Sequence, residues 1–527
     1  MHRMPPILAH LVDEAPAALQ APAPEVLLAD FGRVAFGNLR LECSEPLAGP
    51  LVVHFGEALD GGRVLRQPPG TVRYARVELP AGPAGARLVA PAADVRNTTP
   101  PAVPTPPEWG VVLPFRWVEI EGAVPPGALR LVRRTAQAAS WDTRAASFEC
   151  ADPVLTGIWE LCRHTIQATT FASIYVDGDR ERIAYEADAY INQVAHYACD
   201  PDPRIARNTF DWLMEFPTWP TEWAPHLVFM AHADWWQTGD RQWMGERFDA
   251  LQAKLLDERL RPDGLVGSTP EQMQRGDLVD WPPGERDGYV FSPVNTVVNA
   301  FHLQAHALMA EMAETLGREG DAVRHRARRQ VGREALTGAS FDRARGIFLD
   351  GPGTGHASLH ANLFPLAFGL VPREGIAPVL EFIRGKGMAC SVYAAHYLLE
   401  ALFQHGEDAL ALDLMTAPGD RSWRHMLASG TTLTWEAWDQ KYKPNQDWNH
   451  AWGAAPAHLL PRHVLGVEPA EPGWKSVRIR PRPGRLLGAR GRVPTPHGSV
   501  DVSWKRESPA DPPELSFQLP PGVRRVE

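Results

Sequence analysis

The chain has 527 residues, 44% of them hydrophobic and 22% charged, and carries a formal net charge of -10. That length exceeds what one hydrophobic core organises, so two or three domains are expected. The acidic balance supplies no broad positive field, and no uninterrupted apolar run reaches membrane-spanning length, so neither nucleic acid nor a membrane is expected as a partner.

The first sixteen residues lack a basic segment followed by a sustained apolar run. The chain as given is therefore expected to be cytoplasmic, or periplasmic or secreted if a leader has been removed. From Val26 to about Val132, short apolar runs alternate between Pro/Gly turns, for example Pro50-Leu-Val-Val-His-Phe55, Thr71-Val-Arg-Tyr-Ala-Arg-Val-Glu-Leu79 and Pro114-Phe-Arg-Trp-Val-Glu-Ile120. This period-two pattern predicts a β-sandwich over residues 1–140. The Pro/Thr/Ala-rich stretch 92–107 holds too much proline for a central strand and reads as an exposed loop.

After Trp141 the period changes. Ala395, Leu398, Leu399, Leu402 and Phe403 repeat at helical spacing, and 297–316 and 158–169 carry similar stripes, so residues 141–467 read as a series of amphipathic helices. Short strand patterns return at 477–481, 498–504 and 514–519, predicting a small antiparallel β-domain over 468–527. The five cysteines are odd in number and scattered, with no metal-type spacing, and read as reduced core thiols.

Two carboxylate-bearing segments lie about half a chain apart: Asp177-Gly-Asp-Arg-Glu-Arg182 and Thr431-Thr-Leu-Thr-Trp-Glu-Ala-Trp-Asp439. Cleaving a glycosidic bond takes one carboxylic acid to protonate the leaving oxygen and one carboxylate to activate water or attack carbon, so acids from distant segments must converge. A charge run such as 177–182 is more often a solvated face, and Trp435 and Trp438 are consistent with plain core packing. Against that stands the density of short polar groups around Glu436 (Thr431, Thr432, Asp439, Gln440, Asn445), which a core does not need and a sugar's hydroxyls do. No GxSxG elbow, HExxH pair or phosphate-binding loop is present.

The ordered segments resemble glycoside hydrolase family 78, the α-L-rhamnosidases. They are Asp30-Phe-Gly32, His54-Phe-Gly-Glu57, Phe115-Arg-Trp-Val-Glu-Ile-Glu-Gly122, the 177–182 motif, Trp219-Pro-Thr-Glu-Trp223, Thr238-Gly-Asp240, Asp280-Trp281, Gly430-Thr-Thr-Leu-Thr-Trp-Glu436-Ala-Trp438 and Asn449-His450. The resemblance implies an (α/α)6 helical barrel flanked by the two β-domains, which hydrolyses terminal α-L-rhamnosides with inversion; no cofactor is expected, and no metal, because no cluster has convincing ligand spacing. It places Glu181 as general acid and Glu436 as general base, with Asp177, Arg180, Tyr185, Trp223, Trp281 and His450 on the sugar; Tyr185 stands where many members carry Trp. Asp177 and Arg180 are one residue closer than in the family motif, which leaves open a different terminal sugar and the role of Asp179. A non-catalytic carbohydrate-binding protein is the rival from another class.

Overall fold

The computed structural model describes residues 6–123 and 127–527. In the N-terminal part, β1 (Ala9–Glu14), β2 (Ala18–Ala23), β3 (Val26–Cys43), β4 (Leu51–Gly56), β5 (Tyr74–Leu79), β6 (Gly85–Val89), β7 (Leu113–Glu121) and β8 (Leu129–Ala138) form one eight-stranded sheet with every pair antiparallel. The expected sandwich is thus one continuous sheet. Its centre is the long β3, which pairs with β2 and β7 in its first half and with β8 and β6 in its second. The register with β7 shifts between Asp30 and Ala35, around Gly32 with φ of 79°. Such an irregularity bends a strand, which is how one sheet turns a corner without breaking. Many inward residues of these strands meet in a core where Phe31 and Phe55 pack edge-on against Phe115, while Phe36, Ala136 and Ala138 join the core of the helices.

The stretch 92–107 is largely exposed and stays outside the sheet, as its composition implies, but it is anchored at Val103. Val103 is fully buried and its backbone N–H donates to the Arg182 carbonyl at 2.9 Å. Proline excludes a segment from a sheet ladder but leaves it free to pack against another domain.

From Pro153 the chain is helical. Buried helices alternate with helices that bury one face. Pro153–Thr169, Glu186–Tyr197, His226–Thr238, Thr296–Thr315, Leu359–Ala367 and Val392–Gln404 are buried over most of their length. Between them run half-exposed ones such as Arg204–Glu215, which buries only Ile205, Ala206, Thr209, Phe210 and Leu213. An apolar stripe on one face places a helix on the outside, and apolar residues all round place it inside. Local chemistry sets the ends: Asp152, Asn295 and Ser391 each cap a buried helix by accepting from its first-turn N–H groups.

The C-terminal strands form two small sheets. Gly488–Thr495, Gly498–Lys505 and Glu514–Gln518 are antiparallel, and they recruit Ser147–Cys150 as a fourth strand from the segment expected to be helical. In the second sheet Ser476–Ile479 pairs in parallel with Arg524–Val526, so the expectation of a purely antiparallel domain is corrected. A parallel partner must return by a crossover, which short-range pattern does not reveal. The five cysteines are free thiols, four of them buried.

Candidate active site

The loop 173–185, which leads into the N-terminus of Glu186–Tyr197, carries the first motif. It is closed by Asp177 N–H donating to the Ile183 carbonyl at 2.8 Å and Ile183 N–H donating to Asp177 Oδ1 at 3.0 Å. Gly178 sits at φ of 139°, and a Cβ there would come within 2.5 Å of Asp447 Oδ2. Glycine is required because the two motif-bearing segments touch at this point.

Asp179 points away from the cleft. Its buried carboxylate accepts from Arg73 at 2.6 Å, from Arg182 at 2.7 Å and from Arg96 at 3.4 Å. Burial alone would raise its pKa, but the guanidinium groups of Arg73 and Arg182 hold it down at about 2. Asp179 is a lock between the sheet domain and the helices.

Arg180 faces the other way and joins the two motifs. Its Nη1 donates to Glu181 Oε1 and its Nη2 to Glu436 Oε1 at 2.8 Å. Two carboxyls held on one guanidinium have their bonded oxygens no more than about 8 Å apart, the width of the group plus two hydrogen bonds. The Tyr185 hydroxyl donates to the second oxygen of Glu181 at 2.8 Å, and the Glu181 side chain keeps 31% of its surface in solvent. Glu436 keeps 2%. Burial and the nearby Asp447 carboxylate push the pKa of Glu436 up, opposed by His450, Arg180 and Lys443, whose ammonium lies 3.2 Å from Oε1.

Behind the pair, His450 stands between two acids. Its Nε2 lies 2.8 Å from Asp188 Oδ1 and its Nδ1 lies 3.3 Å from Asp447 Oδ1. Burial would strip the ring of its proton, yet the two carboxylates raise its pKa well above the usual value and hold it as an imidazolium. Both ring nitrogens are engaged by acids, so direct contact of His450 with a sugar is not what the geometry displays. Burial, with the negative fields of Glu181 and Asp447, pushes the Asp177 carboxyl well above the carboxylate range. The Oδ2 atoms of Asp177 and Asp188 are buried and have no hydrogen-bond partner among the described residues. Unsatisfied buried oxygens of this kind are costly unless a ligand completes them.

The sheet domain reaches this cluster through Glu57. It accepts from the Arg73 backbone at 2.6 Å and from Asn449 Nδ2 at 3.1 Å, while Asn449 Oδ1 accepts from Asp179 N–H at 2.7 Å. Burial raises Glu57 to about 8, with Asp179 and Asp447 adding to the rise against its hydrogen bonds.

The tryptophans of the motifs stand at different depths. Trp223 is 5% exposed and packs edge-on against Tyr185 at 5.6 Å and tilted against Tyr393 at 6.0 Å. Trp281 is half-buried, with the Lys443 ammonium over its ring at 5.8 Å. Trp219 is 54% exposed and lies outside the core. All eight residues singled out in the sequence therefore lie in one connected cluster. Lys443, Asp447 and Glu57 were missed as participants; the first two lie between the quoted motifs Glu436 and Asn449-His450, whose flanks were their only signal. Glu436, Asp447 and His450 approach one another as metal ligands would, but Arg180 and Lys443 already neutralise Glu436 and both nitrogens of His450 are occupied.

Paired acids, orphaned carboxylate oxygens and flanking aromatic rings are groups of the kind that a sugar ring calls for. A family model described as the bacterial alpha-L-rhamnosidase six-hairpin glycosidase domain matches residues 143–464, and the bacterial alpha-L-rhamnosidase C-terminal domain matches residues 466–526. The chain belongs to the bacterial α-L-rhamnosidase family. An alpha-L-rhamnosidase of Alteromonas sp. (strain LOR) is 24% identical over 306 residues, covering 54% of this chain and 32% of that protein. One from Streptomyces avermitilis is 23% identical over 284 residues, covering 51% of this chain and 26% of that protein. The chain thus aligns with about a third or less of these relatives' length. Among solved structures, the α-L-rhamnosidase of Aspergillus terreus superposes with a TM-score of 0.81 at 18% identity, over 98% of this chain and 61% of that one. The Streptomyces avermitilis enzyme complexed with L-rhamnose gives 0.77 at 18% identity, over 98% of this chain and 50% of that one.

Proposed function

We propose that the protein is an inverting exo-acting glycoside hydrolase that removes terminal α-L-rhamnose, built on an (α/α)6 barrel with the strand domains at 1–140 and 468–527. The observation that carries this reading is Arg180 bridging Glu181 and Glu436 in a member of the rhamnosidase family. The bridge permits the wider carboxyl spacing that an inverting enzyme needs to seat a water beside the sugar.

Glu181, the more solvent-exposed acid, protonates the glycosidic oxygen as the bond to the anomeric carbon breaks. Glu436 takes a proton from the water that attacks that carbon from the opposite face. Proton, water and leaving group balance between the two carboxyls, so the reaction calls for no cofactor. Arg180 and Lys443 oppose the rise that burial imposes on Glu436 and so favour the ionised form that a general base requires. Asp177 and Asp188 offer their unpartnered oxygens to sugar hydroxyls, and His450 positions Asp188 and Asp447 from behind. Trp281 and Tyr185 line the ring, and Trp223 backs Tyr185.

The test is a screen of 4-nitrophenyl glycosides. Colour release from the α-L-rhamnoside above all others is expected; release from another sugar would support a different specificity on the same machinery, and none at all would favour the binding-protein reading.

A further inference from the structure

Helix Thr296–Thr315 carries His302 and His306 one turn apart, so both rings leave the same face. Both are buried, as is His325 from the following helix Glu319–Ser340. His302 Nδ1 lies 2.5 Å from the Leu255 carbonyl oxygen, an acceptor only. The ring proton must therefore sit on Nδ1, which leaves Nε2 as a bare lone pair. That nitrogen is buried and has no hydrogen-bond partner among the described residues.

Across from it, His306 Nε2 lies 3.1 Å from Asp257 Oδ1, and His306 Nδ1 lies 2.9 Å from His325 Nδ1. One ligand atom from each of Asp257, His302 and His306 falls within 4.8 Å of the other two. Ligands of a tetrahedral zinc-type ion, bound at about 2.0 to 2.1 Å, stand about 3.3 Å from one another. The His306–Asp257 edge has nearly that length already, and a side-chain shift on the order of 1 Å completes the set. A histidine that donates one ring N–H to a backbone carbonyl and turns the other nitrogen inward is the usual supporting arrangement of a metal ligand. Where other acid–histidine groups approach one another, arginine or lysine already occupies them: Arg63 and Arg66 at Glu119, Arg180 and Lys443 at Glu436. Asp257 has His306 as its ion-pair partner among the described residues, and 45% of its side chain remains open to solvent.

We propose that Asp257, His302 and His306 form a binding site for a divalent transition-metal ion of the zinc class, separate from the carboxylate cluster. On binding, the proton that His306 Nε2 shares with Asp257 leaves to solvent, and the contact between His306 Nδ1 and His325 Nδ1 orients the ring. A fourth position faces solvent beside Asp257 and takes water. The ion ties the 257–259 turn to the buried helix.

Parent protein, Asp257→Asn, His302→Gln, His306→Gln and Glu436→Gln are exposed to zinc chloride, freed of excess, and assayed for bound zinc; each is also titrated with cobalt(II) in visible absorption. The parent and Glu436→Gln are expected to hold one equivalent and to develop cobalt d–d bands. The three site variants are expected to bind at least about tenfold more weakly. Asp257→Asn, at a half-exposed side chain, keeps the comparison valid if a buried histidine variant fails to fold. No stoichiometric zinc on folded parent, equal zinc on the site variants, or loss confined to Glu436→Gln would each overturn the site.

Discussion

Arg180 donates from Nη2 to Oε1 of Glu436 at 2.8 Å while its other Nη holds Glu181, so a single guanidinium sets the distance between two acids from different halves of the sequence. A planar fork with fixed donor directions does this, and a lysine ammonium does not. Arg180→Ala should lower kcat on an aryl α-L-rhamnoside by on the order of 10²-fold or more, the size seen when one preorganised donor is removed from an active site. Arg180→Lys should recover little. Full activity in the lysine variant would show that charge alone suffices.

The two glutamates should separate by leaving group. Glu181→Gln is expected to lose more activity on a natural rhamnoside than on the 2,4-dinitrophenyl rhamnoside, because a good leaving group departs unprotonated. Glu436→Gln should fall by on the order of 10² to 10⁴-fold on both. Proton NMR of the parent's early product should show the β-L-anomer. Release of the α-anomer would make Glu436 a nucleophile instead.

Glu57 makes the stability of the folded chain depend on pH in a way opposite to a salt-bridged acid. Burial holds its folded pKa at about 8, well above the unfolded carboxylate value, so the folded state keeps a proton that the unfolded state releases. Its contribution is complete at acid pH and is lost as pH rises from about 4.5 to 8, by about 1.4 kcal/mol per pH unit. Glu57→Gln cannot ionise. Its melting temperature should fall less than the parent's between pH 5 and pH 8 in scanning calorimetry, and parallel curves for the two proteins would refute the assignment.

Trp223 and Trp281 should behave differently. Trp223, buried against Tyr185 and Tyr393, is part of the packing, and Trp223→Ala should cost about 3 to 5 kcal/mol of stability. Trp281 is half-buried beside Lys443. Trp281→Ala should weaken L-rhamnose binding by about 1 to 3 kcal/mol with a smaller change in melting temperature. Calorimetric titration with L-rhamnose and a thermal melt of each variant check this; unchanged affinity in Trp281→Ala would remove that ring from the sugar site.

Local pattern carried much of this fold. The stripe from Ala395 to Phe403 lies inside the buried helix Val392–Gln404, and the run from Pro114 to Ile120 lies in β7, because helix and strand periods are written in neighbouring residues. The candidate acids were legible because each lies in a short motif, 177–182 or 431–439, and the family resemblance, not the local pattern, gave them roles. Pattern could not show that β3 carries one continuous sheet around a corner, or that Ser147–Cys150 joins a sheet more than three hundred residues later in the chain. Nor could it tell Asp179 from Glu181, two residues apart. Three arginines at 73, 96 and 182 draw one acid into the wall, and a shared Arg180 holds the other at the cleft. The sequence by itself determined the principal helices and strands and which segments bear the acids; only the tertiary structure decided which acid meets which cation, because the energy of a buried charge depends on partners that sequence distance does not encode.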